Sequence, residues 1–197
     1  MIGTICVFCG SSVGRQPVYS SEAEKLARFL LERDITLVYG GANVGLMAVM
    51  ADTMLAGGGK VIGVMPRSLV EREVAHAGLT EMHIVDGMQE RKALMADLSD
   101  AFITLPGAFG TLDELFEVLT WNQLRIINKP VGLLNTGGFF DPMLRMLDHA
   151  VAEKFLRPEH RGMLQASADI RELFEFLEHY RPVTAEKWIE RLKQGKI

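Results

Sequence analysis

Short β-branched runs alternate along the chain with longer segments patterned for helices. Strands are predicted at Ile5–Phe8, Thr36–Tyr39, Lys60–Val64, Met82–Val85, Ala101–Thr104, Val131–Leu134 and Met163–Ala166. The spacing of apolar positions between and after them predicts helices over Tyr19–Arg33, Val44–Leu55, Met88–Leu98, Gly110–Ile127, Asp141–Glu153, Ala168–Tyr180 and Ala185–Gln194. Runs such as Ile5-Cys6-Val7-Phe8 are apolar without interruption, as strands covered on both faces must be. Strand, glycine-rich turn and helix in repeated succession predict an α/β fold: a Rossmann-like, doubly wound, mainly parallel sheet with helices on both faces. Glycine clusters follow the strands, at the sheet edge where open α/β folds bind ligands. The segment Pro66–Thr80 is the least regular and is expected to form a loop over that edge.

No repeat, low-complexity tract or linker interrupts the pattern. Residues 1–197 therefore read as a single Rossmann-like nucleotide-binding domain, with a last helix (about 184–195) packed on its surface or on a partner. Apolar residues make up 48% of the chain, enough for a sizeable core with something left for a subunit interface. The net charge of −4 gives no general pull toward nucleic acid or acidic membrane, so a bound phosphate has to be held by a local site. No apolar run approaches the roughly 20 residues that span a bilayer. Met1-Ile2-Gly3-Thr4-Ile5 has neither the basic region nor the cleavage site of a signal peptide, so the cytoplasm is the expected compartment. Cys6 and Cys9 are spaced C-x-x-C, yet they sit in an apolar strand with no second Cys or His pair at zinc spacing. They read as small buried side chains. The five histidines also lack the mutual spacing of a metal site.

The most informative stretch is Leu105-Pro106-Gly107-Ala108-Phe109-Gly110-Thr111-Leu112-Asp113-Glu114. A strand enters it and a helix leaves it, and Gly107 and Gly110 permit a tight turn and close approach to a ligand. The first N–H groups of a helix have no partners within it, and the helix dipole favours an anion at that end, so a phosphate is the natural guest. Thr111 can add a hydroxyl donor. At about 100° per residue, Thr111, Glu114 and Val118 share one face, which puts a carboxylate about one turn from the anion.

Met88-Gln89-Glu90-Arg91-Lys92 opens another helix with two adjacent cations. Cations near a helix start oppose the dipole unless an anion or carboxylate meets them, which makes Arg91 and Lys92 candidate ligand contacts. Gly10-Ser11-Ser12 and the turn from Gly40 and Gly41 to Met47 are further candidates for touching phosphate or ribose. The second turn lacks the G-x-G-x-x-G fingerprint and its acidic partner, which argues against bound NAD.

Together, Val7-Phe8-Cys9-Gly10-Ser11-Ser12, Gly40-Gly41-x-x-x-Gly45-Leu46-Met47, Glu90-Arg91-Lys92-Ala93 and Pro106-Gly107-x-x-Gly110-Thr111-x-x-Glu114 resemble the motifs of the Lonely Guy family. The resemblance runs from about residue 4 to residue 180. Members of that family are cytokinin riboside 5′-monophosphate phosphoribohydrolases, long mislabelled as lysine decarboxylases. The resemblance implies hydrolysis of an adenosine 5′-monophosphate, N6-modified or plain AMP, to free base and ribose 5-phosphate, with no metal or other cofactor. It implies Arg91 and Glu114 as the catalytic pair. Substrate contacts fall on Glu73, Arg91, Lys92, Gly107, Ala108, Phe109, Gly110, Thr111, Leu112, Asp113, Glu114 and Thr120. It also implies a homodimer. The long helix agrees, with Leu112, Leu115, Phe116, Leu119, Ile126 and Ile127 around one face and Val118, Trp121 and Leu124 on another.

Three positions depart from the family pattern. Ala108 replaces the second glycine of the phosphate loop; alanine tolerates φ > 0 poorly, so a changed loop shape is expected. Ala48 stands where a glycine commonly follows Gly-Leu-Met, and Gln89 where a histidine often precedes the arginine by two.

Cleavage of a base–ribose bond passes through an oxocarbenium-like state. Glu114 is expected to stabilise that cation or activate water, Arg91 to offset charge on the base or position Glu114, and Thr111 with the helix start to anchor the phosphate. The competing expectation is a nucleotide or molybdenum-cofactor carrier without chemistry on the same fold, a module with no need of Glu114 near its ligand. No lysine stands in a recognisable pyridoxal-phosphate setting.

Overall fold

The computed structural model describes residues 2–70 and 75–182; Glu73 and the helix expected at 185–194 lie outside the described residues. Strands β1 (Thr4–Phe8), β2 (Thr36–Tyr39), β3 (Val61–Pro66), β4 (Glu81–Val85), β5 (Ala101–Thr104), β6 (Val131–Leu134) and β7 (Leu164–Ser167) form one parallel sheet in the order β4-β3-β2-β1-β5-β6-β7. Its helices are α1 (Pro17–Leu31), α2 (Gly45–Ala56), α3 (Arg67–Val70), α4 (Met88–Asp97), α5 (Phe109–Gln123), α6 (Asp141–Ala152), α7 (Pro158–Arg161) and α8 (Ile170–His179). The single turns α3 and α7, and a 3-10 turn at Thr136–Gly138, fall where no helix is expected from the pattern.

Alternate residues of the central strands feed two cores. Ile5, Val7, Leu37, Tyr39 and Ile103 pack against α1, α2 and α8, while Cys6, Phe8, Val38 and Phe102 pack toward α4, α5 and α6. Both faces of the sheet are therefore apolar, and the fold is doubly wound as expected. The strand order reverses between β1 and β5, which pair from Ile5↔Ala101 to Phe8↔Thr104. The loops leaving this pair run to opposite faces and open a crevice at the carboxyl end of the sheet.

Helix α5 stops at Gln123, four residues short of the expected Ile127. Arg125 takes the left-handed conformation (φ 60°), and the N–H groups of Arg125 and Ile126 donate to the carbonyls of Asn122 (3.1 Å) and Trp121 (2.8 Å). This is a Schellman closure with arginine where glycine is usual. Leu115 and Val118 enter the core, whereas Leu124 and Ile126 are left exposed beyond the helix end. The segment after β3 begins with α3, and its return is tied to the end of β2. Ala75 bridges Ala42 in antiparallel fashion, and His76 N–H donates to the Gly41 carbonyl at 2.9 Å. Among the described residues, no helix is long and apolar enough to cross a membrane.

Candidate active site

A cavity of about 400 Å³ occupies the crevice at the switch point. The turns leaving β1 and β5 build its floor by holding each other. Leu105 N–H donates to the Phe8 carbonyl (2.9 Å), Gly10 N–H to the Pro106 carbonyl (3.0 Å), and Leu46 N–H, in the first turn of α2, to the Gly10 carbonyl (3.0 Å). Gly45 has φ +57°, and a methyl built on it would overlap the Ser11–Ser12 peptide. Only glycine lets α2 start this close to the β1 turn. A methyl on Gly107 would likewise overlap Thr111 Oγ1, so that hydroxyl is held against the loop. Of the residues the motifs single out, Gly10, Ser11, Ser12, Met47, Gly107, Ala108, Gly110, Thr111, Asp113 and Glu114 line the cavity.

At the start of α5, Ala108 is the N-cap and no side chain caps the helix. Leu112 N–H donates to the Ala108 carbonyl (2.9 Å), so the N–H groups of Phe109, Gly110 and Thr111 precede the first bond of the helix and are available to an anion. Ala108 has φ −116°, so the position does not call for the positive φ that favours glycine. The changed loop shape expected from replacing glycine is therefore not required.

Two helices bring the charged pair to the cavity wall. Met88, Arg91 and Met95 lie on one stripe of α4; Met95 enters the core, and this carries Arg91 inward until it is only 8% exposed. On α5, Glu114 lies between buried Thr111 and Val118 on the inward face, confirming the predicted stripe. The Glu114 carboxylate stands 3.9 Å from Arg91 Nη2, with side-chain exposures of 11% and 10%. Burial pushes the Glu114 carboxyl up to about 7, against the opposing pull of the Arg91 cation. The guanidinium itself is thinly bonded: Nη1 reaches Met88 Sδ at 3.8 Å, and buried Nε has no partner among the described residues. A charge held out of water with spare donors is costly unless an acceptor meets it.

Other predicted contacts lie elsewhere. Lys92 does not line the cavity; its ammonium is 3.0 Å from both Asp113 and Glu117 and bridges α4 to α5. Lys92 is thus not at the cavity as a ligand contact would be, its charge being met by this carboxylate pair, whereas Arg91 faces the cavity beside Glu114. Phe109, Leu112 and Thr120 face a shallow groove on the outer side of α5 with Phe116 and Trp121, and the Thr120 hydroxyl donates to the Phe116 carbonyl (2.7 Å). Phe109 is 92% exposed. Gly41 is next to the cavity but not in its wall; its neighbour Gly40 is.

Tyr19, Met88 and Phe139 also line the cavity, although no motif of the sequence marks them as site residues. Tyr19 and Phe139 meet edge to face, 5.9 Å between ring centroids, on the apolar side of the cavity. The aromatic residue that follows the Thr136-Gly137-Gly138 turn was the available signal for Phe139, since that turn too lies at the carboxyl end of a strand.

A parallel doubly wound sheet with its cavity at the switch point, walled by the starts of α2, α4 and α5, defines a Rossmann-like α/β protein. Residues 47–177 match the family described as "Possible lysine decarboxylase". A cytokinin riboside 5′-monophosphate phosphoribohydrolase of Oryza sativa subsp. japonica is 50% identical over 178 residues, 90% of this chain and 74% of that protein. One from Arabidopsis thaliana is 47% identical over 178 residues, 90% of this chain and 82% of that protein. The chain belongs to this family, the Lonely Guy family. Among solved structures, the molybdenum cofactor binding protein of Rippkaea orientalis superposes with a TM-score of 0.67 at 21% identity, covering 90% of this chain and 96% of that one. That likeness concerns the fold.

Proposed function

We propose that the protein hydrolyses the N-glycosidic bond of a purine nucleoside 5′-monophosphate, an N6-modified adenosine 5′-monophosphate or AMP itself, giving the free base and ribose 5-phosphate. One observation carries this reading. A buried guanidinium with spare donors and a carboxyl pushed up to about 7 face the same cavity, beside an uncapped helix start suited to a phosphate. The names of the rice and Arabidopsis relatives support it.

In this mechanism the 5′-phosphate rests on the N–H groups opening α5 and on the Thr111 hydroxyl, and its binding holds the ribose near Glu114. The bond from C1′ to the base nitrogen breaks, and its electron pair goes to the base. The Glu114 carboxylate offsets the positive charge growing on the sugar and takes a proton from the water whose oxygen bonds to C1′. Arg91 offsets the negative charge growing on the base, which takes up a proton from solvent while Glu114 gives back to solvent the one it took. With its carboxyl near 7, Glu114 has both protonation states available at neutral pH. The cavity wall holds no lysine among the described residues, which leaves the decarboxylase description without the amine that pyridoxal phosphate needs. The carrier reading has likeness of fold alone behind it.

Residues 1–197 act as one domain in this reading, and two buried free thiols suit a cytoplasmic location. The protein works as a homodimer. The exposed Phe109 and the apolar groove on α5 form the contact face, and a role for Thr120 at substrate requires that groove to meet a second copy. The decisive assay is incubation with AMP and with N6-isopentenyladenosine 5′-monophosphate, following free base and ribose 5-phosphate. Release of base from either supports the proposal; nucleotide bound and recovered intact overturns it in favour of a carrier.

A further inference from the structure

We infer that Gly40, at the end of β2, is a positioning residue for the Arg91 guanidinium, whose place opposite Glu114 depends on the bare Cα beneath it. This rests on the reading that Arg91 acts at the substrate. Little else among the described residues holds the cation. Among the described residues its contacts are a sulfur at 3.8 Å and a carboxylate oxygen at 3.9 Å, both beyond the span of a good N–H···O bond, and Nε has no partner there. Where bonds do not define a position, shape must. A methyl built on Gly40 would overlap Arg91 Nη2 outright and lie 3.1 Å from Cζ, with Met47 Sδ next at 3.4 Å.

Backbone geometry does not account for glycine here. Gly41 has φ +76° and needs to be glycine on that ground, but Gly40 is not among the positive-φ residues. The requirement at position 40 is for space, and the group that needs the space is the far end of a flexible side chain. An alanine can therefore fold, because the guanidinium can swing aside. The damage falls on function, since a misplacement of about 1 Å can cost on the order of 10² in rate.

The test is a cycle of Gly40→Ala, Arg91→Ala and the double variant, each assayed for base release and for thermal stability. Gly40→Ala is expected to lower kcat by about 10- to 100-fold. The same change in the Arg91→Ala background is expected to cost less than about twofold, because no guanidinium remains to be displaced. The pH profile adds a readout that general loosening would not move. Glu114 feels Arg91 and Lys92 as cations and Asp113 and Glu117 as carboxylates, so moving Arg91 away raises the pH of half-maximal activity in Gly40→Ala. Equal losses in both backgrounds, or full activity of Gly40→Ala, overturn the inference. If Gly40→Ala fails to fold, the double variant is expected to fold, and failure of both also overturns it. Full activity of Arg91→Ala strikes instead at the proposed function.

Discussion

Lys92 and Asp113 are joined at 3.0 Å one residue along, on both helices, from the Arg91–Glu114 pair. The second pair makes a clamp beside the first. Lys92 also holds Glu117 at 3.0 Å, and the two carboxylates together lift its pKa in spite of burial. Replacing it with methionine keeps the apolar stem and leaves Asp113 and Glu117 unneutralised beside Glu114. Lys92→Met is expected to lower kcat about tenfold, with little change in KM, and to raise the pH of half-maximal activity. A rise in KM with unchanged kcat would instead mark Lys92 as a direct substrate contact; steady-state kinetics across pH separates the two.

Glu114→Gln should separate activity from stability. In the folded protein the carboxyl keeps its proton up to about 7, whereas the ordinary value is 4.5. Between these values the folded state binds more protons than the unfolded one, so the carboxyl's contribution to stability is full below about 4.5 and lost as pH rises through about 7. The upper limit of that loss is about 3 kcal/mol. Glu114→Gln is therefore expected to lose at least about 10²-fold in kcat while melting above the unsubstituted protein at pH 8. The difference in Tm should close below pH 5, as thermal denaturation over a pH series will read.

Phosphate anchoring makes its own demand. Thr111→Val keeps the shape of the side chain and removes the donor, and it is expected to raise KM for AMP about tenfold, the scale of one hydrogen bond to a charged group. Adenosine, which offers no phosphate, should be a poor substrate for both proteins and insensitive to the change. Equal turnover of adenosine and AMP by the unsubstituted enzyme would remove the anchor from the mechanism.

The outer groove of α5 predicts an oligomer. Phe116→Asp puts a charge into the groove that also holds Phe109, Leu112 and Trp121. In sedimentation or light scattering the unsubstituted chain is expected to run as a dimer and the variant as a monomer. A monomeric unsubstituted protein at micromolar concentration would contradict the proposed contact face.

A stability gain is expected at the end of α6. Lys154 is left-handed, φ 66°, in the same closure as Arg125, with Phe155 N–H donating to the Ala150 carbonyl at 2.9 Å. Lys154→Gly removes the strain of that conformation and should stabilise the fold by about 1 kcal/mol, read as a higher denaturation midpoint.

These closures also explain where the sequence was readable and where it was not. The inner strands were legible because the sheet is covered on both faces there, and uninterrupted apolar runs such as Val131–Leu134 have no other use. Helix ends were less so. Asp34, Arg125 and Lys154 stand where glycine would have announced the stop, so the apolar period was followed past Leu31 and Gln123 into turns. At the site, glycine turns and charges at helix starts pointed to loops that wall the cavity and to Arg91 and Glu114, which face each other there. The side of α4 and α5 that Lys92 and Thr120 occupy depends on which helices pack together. That is a long-range fact that spacing along one helix does not contain.

Gly10 and Pro106, whose main chains meet in the cavity floor, are 96 positions apart in the chain. The two halves of the nucleotide cradle thus come into existence only when the middle of the sheet closes. Any partly folded chain that has built one flank alone has no working pocket, however complete that flank is. During refolding, recovered turnover therefore serves as a clock for the central strand pairing and should lag behind the appearance of helix.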